Sequence, residues 1–223
     1  MTDTALVCGG GGALGSALVS ALLDRGDSVV VVDRQPERAS ALPGVRHETA
    51  DLTSPDEIDA VWDRLAGDGA TPRWVVNAAG GFRPGSVGDS TPDLVRQVED
   101  LNLGTAWWSC RAAARHLGEG GAIVNVASRA ALSGGAGSAA YAVSKAGVVR
   151  LTEVLAAELA PRRVRVNAIL PSVIDTPANR ASMSAEGLRN AVAPGELASV
   201  VSFLLSDAAS AVTGAIVPVY GWA

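Results

Sequence analysis

Short apolar runs alternate along the chain with longer segments of helical periodicity, and this alternation constrains the fold more than any other feature. The predicted strands occupy residues 5–8, 28–33, 46–50, 74–77, 122–127, 165–170 and 215–219. The predicted helices occupy residues 13–24, 55–66, 91–117, 139–160 and 194–205. Strands that alternate with helices assemble into a parallel sheet. We therefore predict an α/β fold of the doubly wound, Rossmann type, with seven parallel strands and helices on both faces.

No linker, repeat or low-complexity tract interrupts the alternation, so residues 1–223 are expected to form one domain. With 48% hydrophobic residues, a chain of this length can bury a core without disulfides or metal. Residues 177–193 have weak periodicity and predict a mobile loop with a short helix, suited to cover a substrate. Its large apolar residues are only Met183, Leu188 and Val192, which favours compact ligands.

The composition argues against several classes of partner. A formal net charge of −5 disfavours binding to nucleic acid or to an anionic membrane surface. No apolar stretch reaches the roughly 18 residues that a membrane span requires, and the first residues lack the basic start of a secretory signal. Two cysteines in apolar surroundings, Cys8 and Cys110, are typical of a cytoplasmic protein. His47 and His116 are the only histidines, so no metal site is expected.

Four consecutive glycines follow the first predicted strand and precede the first predicted helix. Glycine lets backbone N–H groups approach a pyrophosphate, which the positive end of the helix also attracts. An ordinary tight turn would explain the glycines alone, but their place between a strand and a helix favours a dinucleotide site. The contacts are expected from Gly9, Gly11, Gly12, Ala13 and Leu14.

Asp33 ends the second predicted strand, 18 residues after Gly15. A carboxylate at this position can accept hydrogen bonds from both ribose hydroxyls of an adenosine, and it repels a 2′-phosphate. The sequence therefore favours NAD(H). NADP(H) remains possible, because the guanidinium of Arg34 could pair with the 2′-phosphate.

Tyr141 and Lys145 are four residues apart in the helix predicted over 139–160, and Ser128 lies 13 residues before Tyr141. This spacing puts Tyr141 and Lys145 on one helix face, where we expect the ammonium to lower the phenol pKa from its ordinary value near 10. A tyrosine tuned in this way exchanges a proton near neutral pH. The alternative for this pair alone is an amphipathic helix whose Tyr and Lys border its apolar face.

Together these residues resemble the classical short-chain dehydrogenase/reductase family, from about residue 4 to residue 221. Residues 8–15 are similar to the family's Thr-Gly-x-x-x-Gly-x-Gly turn. The other elements that resemble its cofactor-binding motifs are Asp51-Leu52, Asn77-Ala78-Ala79-Gly80 and residues 171–176. The resemblance implies that Asp51 and Leu52 contact adenine, and that the Val173 backbone and the Thr176 hydroxyl hold the nicotinamide carboxamide.

Asn102, Ser128, Tyr141 and Lys145 match the family's catalytic tetrad position by position. The resemblance implies an NAD(P)(H)-dependent oxidoreductase that transfers hydride between the cofactor and a small carbonyl or alcohol. Tyr141 would be the general acid or base, and Lys145 would bind the nicotinamide ribose. Ser128 would bond the substrate oxygen, and Asn102 would support the helix geometry and a proton path. The family commonly associates through the helix at 139–160, so a homo-oligomer, dimer or tetramer, is expected.

Four positions depart from the family's pattern: Cys8 replaces Thr, Ala13 replaces Gly, Ala78 replaces Asn and Ser172 replaces Gly. None removes a catalytic group. Part of the chain also resembles dihydropteridine reductase, a branch of the same family that lacks the tetrad's Ser and Asn. A dihydropteridine reductase-like enzyme and a non-catalytic dinucleotide-sensing protein are therefore the alternatives. The sequence does not determine the substrate or the direction of the reaction.

Overall fold

The computed structural model describes residues 3–35 and 44–223, and their strands form one parallel sheet. The sheet has the order β3-β2-β1-β4-β5-β6-β7, and each neighbouring pair is parallel. The strands are β1 Thr4–Cys8, β2 Ser28–Asp33, β3 Val45–Thr49, β4 Trp74–Asn77, β5 Ala122–Val126, β6 Arg165–Pro171 and β7 Ile216–Val219. This topology confirms the predicted seven-stranded doubly wound sheet, and the strand limits differ from the prediction by one residue at most.

Helices cover both faces of the sheet. They are α1 Ala13–Asp24, α2 Pro55–Gly67, α3 Pro92–Glu99, α4 Thr105–His116, α5 Ala139–Leu159, α6 Pro177–Ser182, α7 Ala185–Leu188 and α8 Pro194–Leu205. Apolar side chains of α1 and α8 pack on one face, and those of α2, α4 and α5 pack on the other. The central strands are buried on both faces, which explains their continuous apolar sequence.

The helix predicted over residues 91–117 is interrupted. A π-helical turn at Asp100–Gly104 separates α3 from α4. The side-chain amide of Asn102 donates to the carbonyl of Val98, four residues earlier, at 3.0 Å, and so competes with the helix's own backbone hydrogen bonds. Such turns widen a helix locally and are frequent at functional sites.

The segment predicted as a loop with one short helix contains two, α6 and α7. An isolated parallel bridge between Ile174 and Val192 joins its two ends. The backbone N–H of Asp175 donates to the carbonyl of Val192 at 2.9 Å, and the N–H of Val192 donates to the carbonyl of Val173 at 2.8 Å. The segment is thus anchored at both ends.

The strand order reverses between β1 and β4, because β1 pairs with β2 on one side and with β4 on the other. Crossovers leave this point in opposite directions, so a crevice opens at the carboxyl ends of the two strands, where ligands bind in sheets of this type. Within residues 3–35 and 44–223, no helix has the length and apolar character needed to cross a bilayer.

Candidate active site

The glycine-rich turn runs directly against the end of β4. Gly9 has φ of +84°, and a β-carbon there would lie 2.6 Å from the backbone nitrogen of Ala79. A β-carbon on Gly15 would lie 2.2 Å from the carbonyl oxygen of Gly9. These distances are too short for any side chain, so both positions require glycine. The backbone of the turn and the backbone that follows β4 therefore lie side by side at the crevice, with no side chain between them.

The N-terminus of α1 is open to a ligand. Its capping residue, Gly12, has no side chain to accept a hydrogen bond, and no acidic residue lies in the first turn. A β-carbon on Gly12 would meet no atom closer than 3.5 Å, and Ala13, which replaces a family glycine, is exposed. Uncapped N–H groups and the positive end of the helix dipole suit a phosphate.

Asp33 lies beside this turn. One of its carboxylate oxygens accepts from the backbone N–H of Gly11 at 3.2 Å, and the other accepts from the N–H of Gln35 at 3.1 Å. The carboxylate is therefore held by backbone at the tip of β2, with Arg34 exposed beside it. It keeps further lone pairs for ribose hydroxyls.

Asp51 and Leu52 follow β3 at the same edge of the sheet. The backbone N–H of Thr53 donates to Asp51 at 2.9 Å and its hydroxyl donates at 2.7 Å. These bonds lower the pKa of Asp51, and the charge of Arg34 adds to the effect. Leu52 is buried beneath them. Asp51 thus stays ionised, and Leu52 offers an apolar contact at the expected adenine position.

Asn77 lies in the sheet and not in the crevice. Its side-chain amide donates to Asn125 at 2.8 Å, and Asn125 donates in turn to Thr152 on α5 at 2.9 Å. The amide nitrogen of Asn77 is thus occupied, whereas its side-chain oxygen is buried with no partner among the described residues. Ala78 and Ala79 continue from it, with the N–H of Ala78 bonded to the carbonyl of Cys8 at 2.9 Å.

Asn102 is buried and fixed to the loop that follows β4. Its side-chain oxygen accepts from the N–H of Gly81 at 3.1 Å, and its amide donates to the carbonyl of Gly81 at 3.0 Å. A β-carbon on Gly80 would lie 2.7 Å from the oxygen of Asn102 and 3.2 Å from the ammonium of Lys145. The π-helical turn thus places Asn102 against Gly80 and Gly81. The ammonium of Lys145 lies on the same side of Gly80.

The ammonium of Lys145 donates to the carbonyl of Val126 at 2.8 Å. Only 4% of the residue is exposed, and burial lowers the pKa of Lys145 to about 8. No carboxylate pairs with it among the residues that the structure describes. A buried ammonium with two donors left over can bind hydroxyl groups of a ligand.

Tyr141 is one turn before Lys145 on α5, and the nearby hydroxyl of Ser128 lowers the pKa of Tyr141. Burial has the larger, opposite effect, so the pKa of Tyr141 is raised. The expectation that Lys145 lowers this pKa is therefore wrong for the protein without ligands, because the desolvated phenolate is disfavoured more than its neighbours stabilise it. Tyr141 holds its proton at neutral pH.

Val173 and Thr176 begin the anchored segment after β6. The carbonyl of Val173 accepts from Val192, as described above, so its N–H is the group left for a ligand. The hydroxyl of Thr176 accepts from the N–H of Asn179 at 3.2 Å and caps α6. It retains its own proton as a donor.

Sequence reasoning missed two participants in this site, both of them backbone groups. The carbonyl of Val126 and the backbone of Gly81 carry no side-chain signal, although Gly81 directly follows the Asn77–Gly80 motif. Phe82 packs its ring against Tyr141.

A dinucleotide fits this arrangement on the structure's own evidence. The glycine-rich turn has no side chain where its backbone approaches the end of β4, and α1 has no side-chain cap at its N-terminus. The buried ammonium of Lys145 has no anionic partner among the described residues. The crevice passes from Asp33 across the turn to Lys145 and Tyr141. Phosphates, ribose hydroxyls and a reacting carbonyl would meet complementary groups along that path.

Comparison with known proteins agrees with this site. A family model described as enoyl-(acyl carrier protein) reductase matches residues 11–221. Galactitol 2-dehydrogenase of Rhizobium johnstonii is 37% identical, over 97% of this chain and 93% of its own. Carbonyl reductase family member 4 of Danio rerio is 33% identical, over 99% and 98%. A short-chain type dehydrogenase/reductase from Mycobacterium ulcerans superposes with a TM-score of 0.92 and 32% identity, over 98% of this chain and 88% of that one.

The chain belongs to the short-chain dehydrogenase/reductase family. It is accordingly an NAD(P)-dependent oxidoreductase that acts on alcohol or carbonyl groups.

Proposed function

We propose that this enzyme interconverts a compact carbonyl compound and its alcohol, with Tyr141 as the general acid or base. The proposal is carried by the placement of Tyr141, whose pKa the Ser128 hydroxyl lowers, with the buried Lys145 one turn further along α5. A proton donor, a second hydrogen-bond donor and a cation then face one point of the crevice. A carbonyl oxygen that gains negative charge during reduction is stabilised there.

Reduction suits the protonation state of this tyrosine. Because burial raises the pKa of Tyr141, its hydroxyl carries the proton that a reduced carbonyl needs. The nicotinamide supplies or accepts the hydride when it is bound. Ser128 accepts from the N–H of Ala130 at 3.2 Å, so its own proton is free to bond the same substrate oxygen.

Lys145 and Asn102 have supporting roles in this proposal. The two remaining donors of the Lys145 ammonium bind the nicotinamide ribose, and its positive charge favours loss of the Tyr141 proton once the cofactor has enclosed the pair. Asn102 fixes the Gly80–Gly81 pair beside the ammonium. A path for proton return to solvent would begin at this amide.

NAD(H) is the proposed cofactor. Asp33 holds its carboxylate against the turn through the N–H of Gly11, where the adenosine ribose would lie. A 2′-phosphate at that place meets a fixed negative charge at short range. Arg34 is exposed, and its charge lowers the pKa of Asp51 without an ion pair between the two among the described residues.

The proposed substrates are small. Phe82, Ala130, Ser172 and Met183 would border the reacting carbon, and the segment 177–193 would cover it. This segment adds little apolar surface, since Met183 is partly exposed and Leu188 is the only other large apolar side chain between its anchors. The names of the two relatives point the same way, one to a carbonyl reductase and the other to a sugar-alcohol dehydrogenase.

A homo-oligomer, dimer or tetramer, forms part of the proposal. Val143 and Val154 are exposed on α5, and Trp107 is exposed on α4, which packs against the same face of the sheet. Exposed apolar groups on neighbouring helices support association between copies. Light scattering after size exclusion measures the assembly's mass, and a monomer at micromolar concentration contradicts this part.

The experiment for the reaction is a panel assay with purified protein. Ketones, sugars and quinonoid dihydropteridine are supplied with NADH or NADPH, and the matching alcohols are supplied with the oxidised cofactors. Reduction of small ketones with NADH, abolished in Tyr141→Phe, is the expected result. Activity restricted to the pterin, or turnover unaffected by Tyr141→Phe, contradicts the proposal.

A further inference from the structure

Arg129 directly follows Ser128 and lies beside the proposed reaction centre. Its guanidinium carbon is 5.1 Å from the centroid of the Tyr220 ring. The backbone carbonyl of Tyr220 accepts from the hydroxyl of Ser172 at 3.0 Å. Ser128, Ser172 and Tyr220 follow β5, β6 and β7 respectively, so all three belong to the carboxyl edge of the sheet. Arg129 therefore occupies the β6–β7 side of the same crevice mouth.

No residue in the ranges 3–35 and 44–223 accepts a hydrogen bond from the guanidinium of Arg129. In the part of the chain that the structure describes, no carboxylate lies within 4.0 Å of it and no acceptor bonds to it. Arg180, on the neighbouring segment, differs because both oxygens of Asp175 bind it, at 2.5 Å and 2.7 Å. Stacking on an aromatic ring uses the face of a guanidinium and leaves its five N–H groups free in the plane.

We propose that Arg129, held in place by Tyr220, binds a carboxylate of the substrate. The inference rests on the proposed function and deepens it, because oxo acids and hydroxy acids are then preferred to neutral ketones and alcohols of the same size. A planar guanidinium pairs with a carboxylate through two parallel hydrogen bonds, which fixes the orientation of the substrate as well as its affinity. Tyr220 is a positioning residue, since it acts on the substrate only through Arg129.

Charge around the site favours this assignment. The formal net charge of the chain is −5, so an unpaired cation at the mouth is not part of a general basic surface. Asp175, the nearest carboxylate of the segment after β6, is neutralised by Arg180. Arg83, which follows Phe82, and Arg189, in the segment 177–193, are also exposed and form no ion pair with a described residue. Arg83 is the rival anchor, because it is next to the ring that packs on Tyr141.

The test compares 4-oxopentanoate with its methyl ester, which has the same ketone and no charge. With saturating NADH, kcat/KM for the acid should exceed that for the ester by about tenfold or more. Arg129→Gln should reduce this ratio to near one. Arg115→Gln removes an arginine that pairs with Asp59 on the α2 side and is the matched control, in which the ratio should persist.

Two further variants test the role of Tyr220. Tyr220→Phe keeps the ring and should keep the preference for the acid, whereas Tyr220→Leu should lower it several-fold. A purely structural role for Tyr220 would change the stability of both variants without changing the ratio. A larger loss of preference in Arg83→Gln than in Arg129→Gln would overturn the assignment to Arg129, and so would an acid-to-ester ratio unchanged by Arg129→Gln.

Binding of pentanoate separates this inference from the proposed reaction. Pentanoate has no ketone, and calorimetry with the enzyme–NADH complex should show a Kd at least tenfold weaker in Arg129→Gln than in the unaltered enzyme. If neither ketone turns over but pentanoate binding depends on Arg129, the proposed reaction fails and the anion site stands. If both ketones are reduced and pentanoate binds equally to the unaltered enzyme and to Arg129→Gln, the anion site is excluded and the proposed reaction is not.

Discussion

Phe82 meets Tyr141 edge to face, with ring centroids 5.2 Å apart and the ring planes at 83°. Phe82 is 55% exposed, so little of its surface contributes to the core. Its contact is instead with the residue whose hydroxyl faces Ser128. The ring limits the orientations of Tyr141 and shields one side of the phenol from water.

Phe82→Ala should therefore impair catalysis more than stability. An aromatic pair of this geometry contributes about 0.5–1.5 kcal/mol, which corresponds to a loss of about two- to tenfold in kcat/KM. Val87→Ala is the control, because Val87 is exposed on the same loop and should leave the kinetics unchanged. Thermal unfolding of both variants checks the fold, and equal kinetics for the two would remove Phe82 from the site.

Tyr141→Phe should lower kcat by about 10²–10⁴-fold, because it deletes the proton donor and leaves the ring packed on Phe82. The Kd of NADH, followed by quenching of tryptophan fluorescence, should change little. A variant that retains more than a tenth of the original kcat would exclude Tyr141 as the general acid.

Asp33→Asn should shift cofactor preference toward NADP(H), since it removes the charge that opposes the 2′-phosphate. The amide oxygen of asparagine keeps one acceptor, for the N–H of Gly11 or that of Gln35, in place of the two that the carboxylate offers. The ratio of the NADPH and NADH dissociation constants should fall about tenfold or more. Asp56→Asn, at the start of α2, is a control of the same chemistry. Tighter binding of NADPH than of NADH by the unaltered enzyme would show that Arg34 outweighs Asp33.

Two glycines of one turn should respond differently to the same substitution. Gly15→Ala places its methyl group 2.2 Å from the Gly9 carbonyl and should destabilise the protein by several kcal/mol and abolish cofactor binding. Gly12→Ala meets no atom closer than 3.5 Å and costs a few tenths of a kcal/mol as a changed helix cap. Urea denaturation distinguishes them, and similar stabilities would contradict the close backbone approach.

Lys145 should make stability depend on pH in the alkaline range. Its pKa falls from 10.5 to about 8 on folding, so between these values the unfolded chain binds more protons and the free energy of unfolding rises with pH. Relative to Lys145→Met, the unaltered enzyme should gain at most about 3 kcal/mol between pH 8 and pH 10.5. Urea denaturation at pH 7, 8.5 and 10 measures this difference, and a difference independent of pH would contradict the buried charge.

Lys145 is the only lysine of the chain, which makes a direct measurement possible. Enzyme grown with lysine labelled at the ε-nitrogen gives one side-chain resonance, and its titration reports the pKa without assignment. Binding of NADH should shift this resonance if the ammonium contacts the ribose.

The sequence was sufficient for the fold because strands buried on both faces have a continuous apolar pattern that differs from the periodicity of the surrounding helices. Ser128, Tyr141 and Lys145 were grouped by the resemblance to a family, because their spacing alone also suits an amphipathic helix. The sequence did not predict the π-helical turn at Asn102, because helical periodicity does not change across a single turn of this kind.

The pKa of Tyr141 could not be predicted for a different reason. The spacing to Lys145 indicates which charge is near, but burial is a property of the whole fold and has the larger effect. The contact between Arg129 and Tyr220 was likewise hidden, since 91 residues separate them and only the ends of β5 and β7 bring them together.

The position of β7 at the end of the sheet has a consequence for aggregation. Its carbonyls at Ala215 and Val219 face β6, where they accept from Ala168 and Ser172, so the intervening Pro218 directs its nitrogen away from β6. Proline has no N–H to donate, and an additional strand laid along this border would lack a hydrogen bond at its centre. Uncontrolled growth of the sheet from one molecule into the next is therefore blocked on this side by a single pyrrolidine ring.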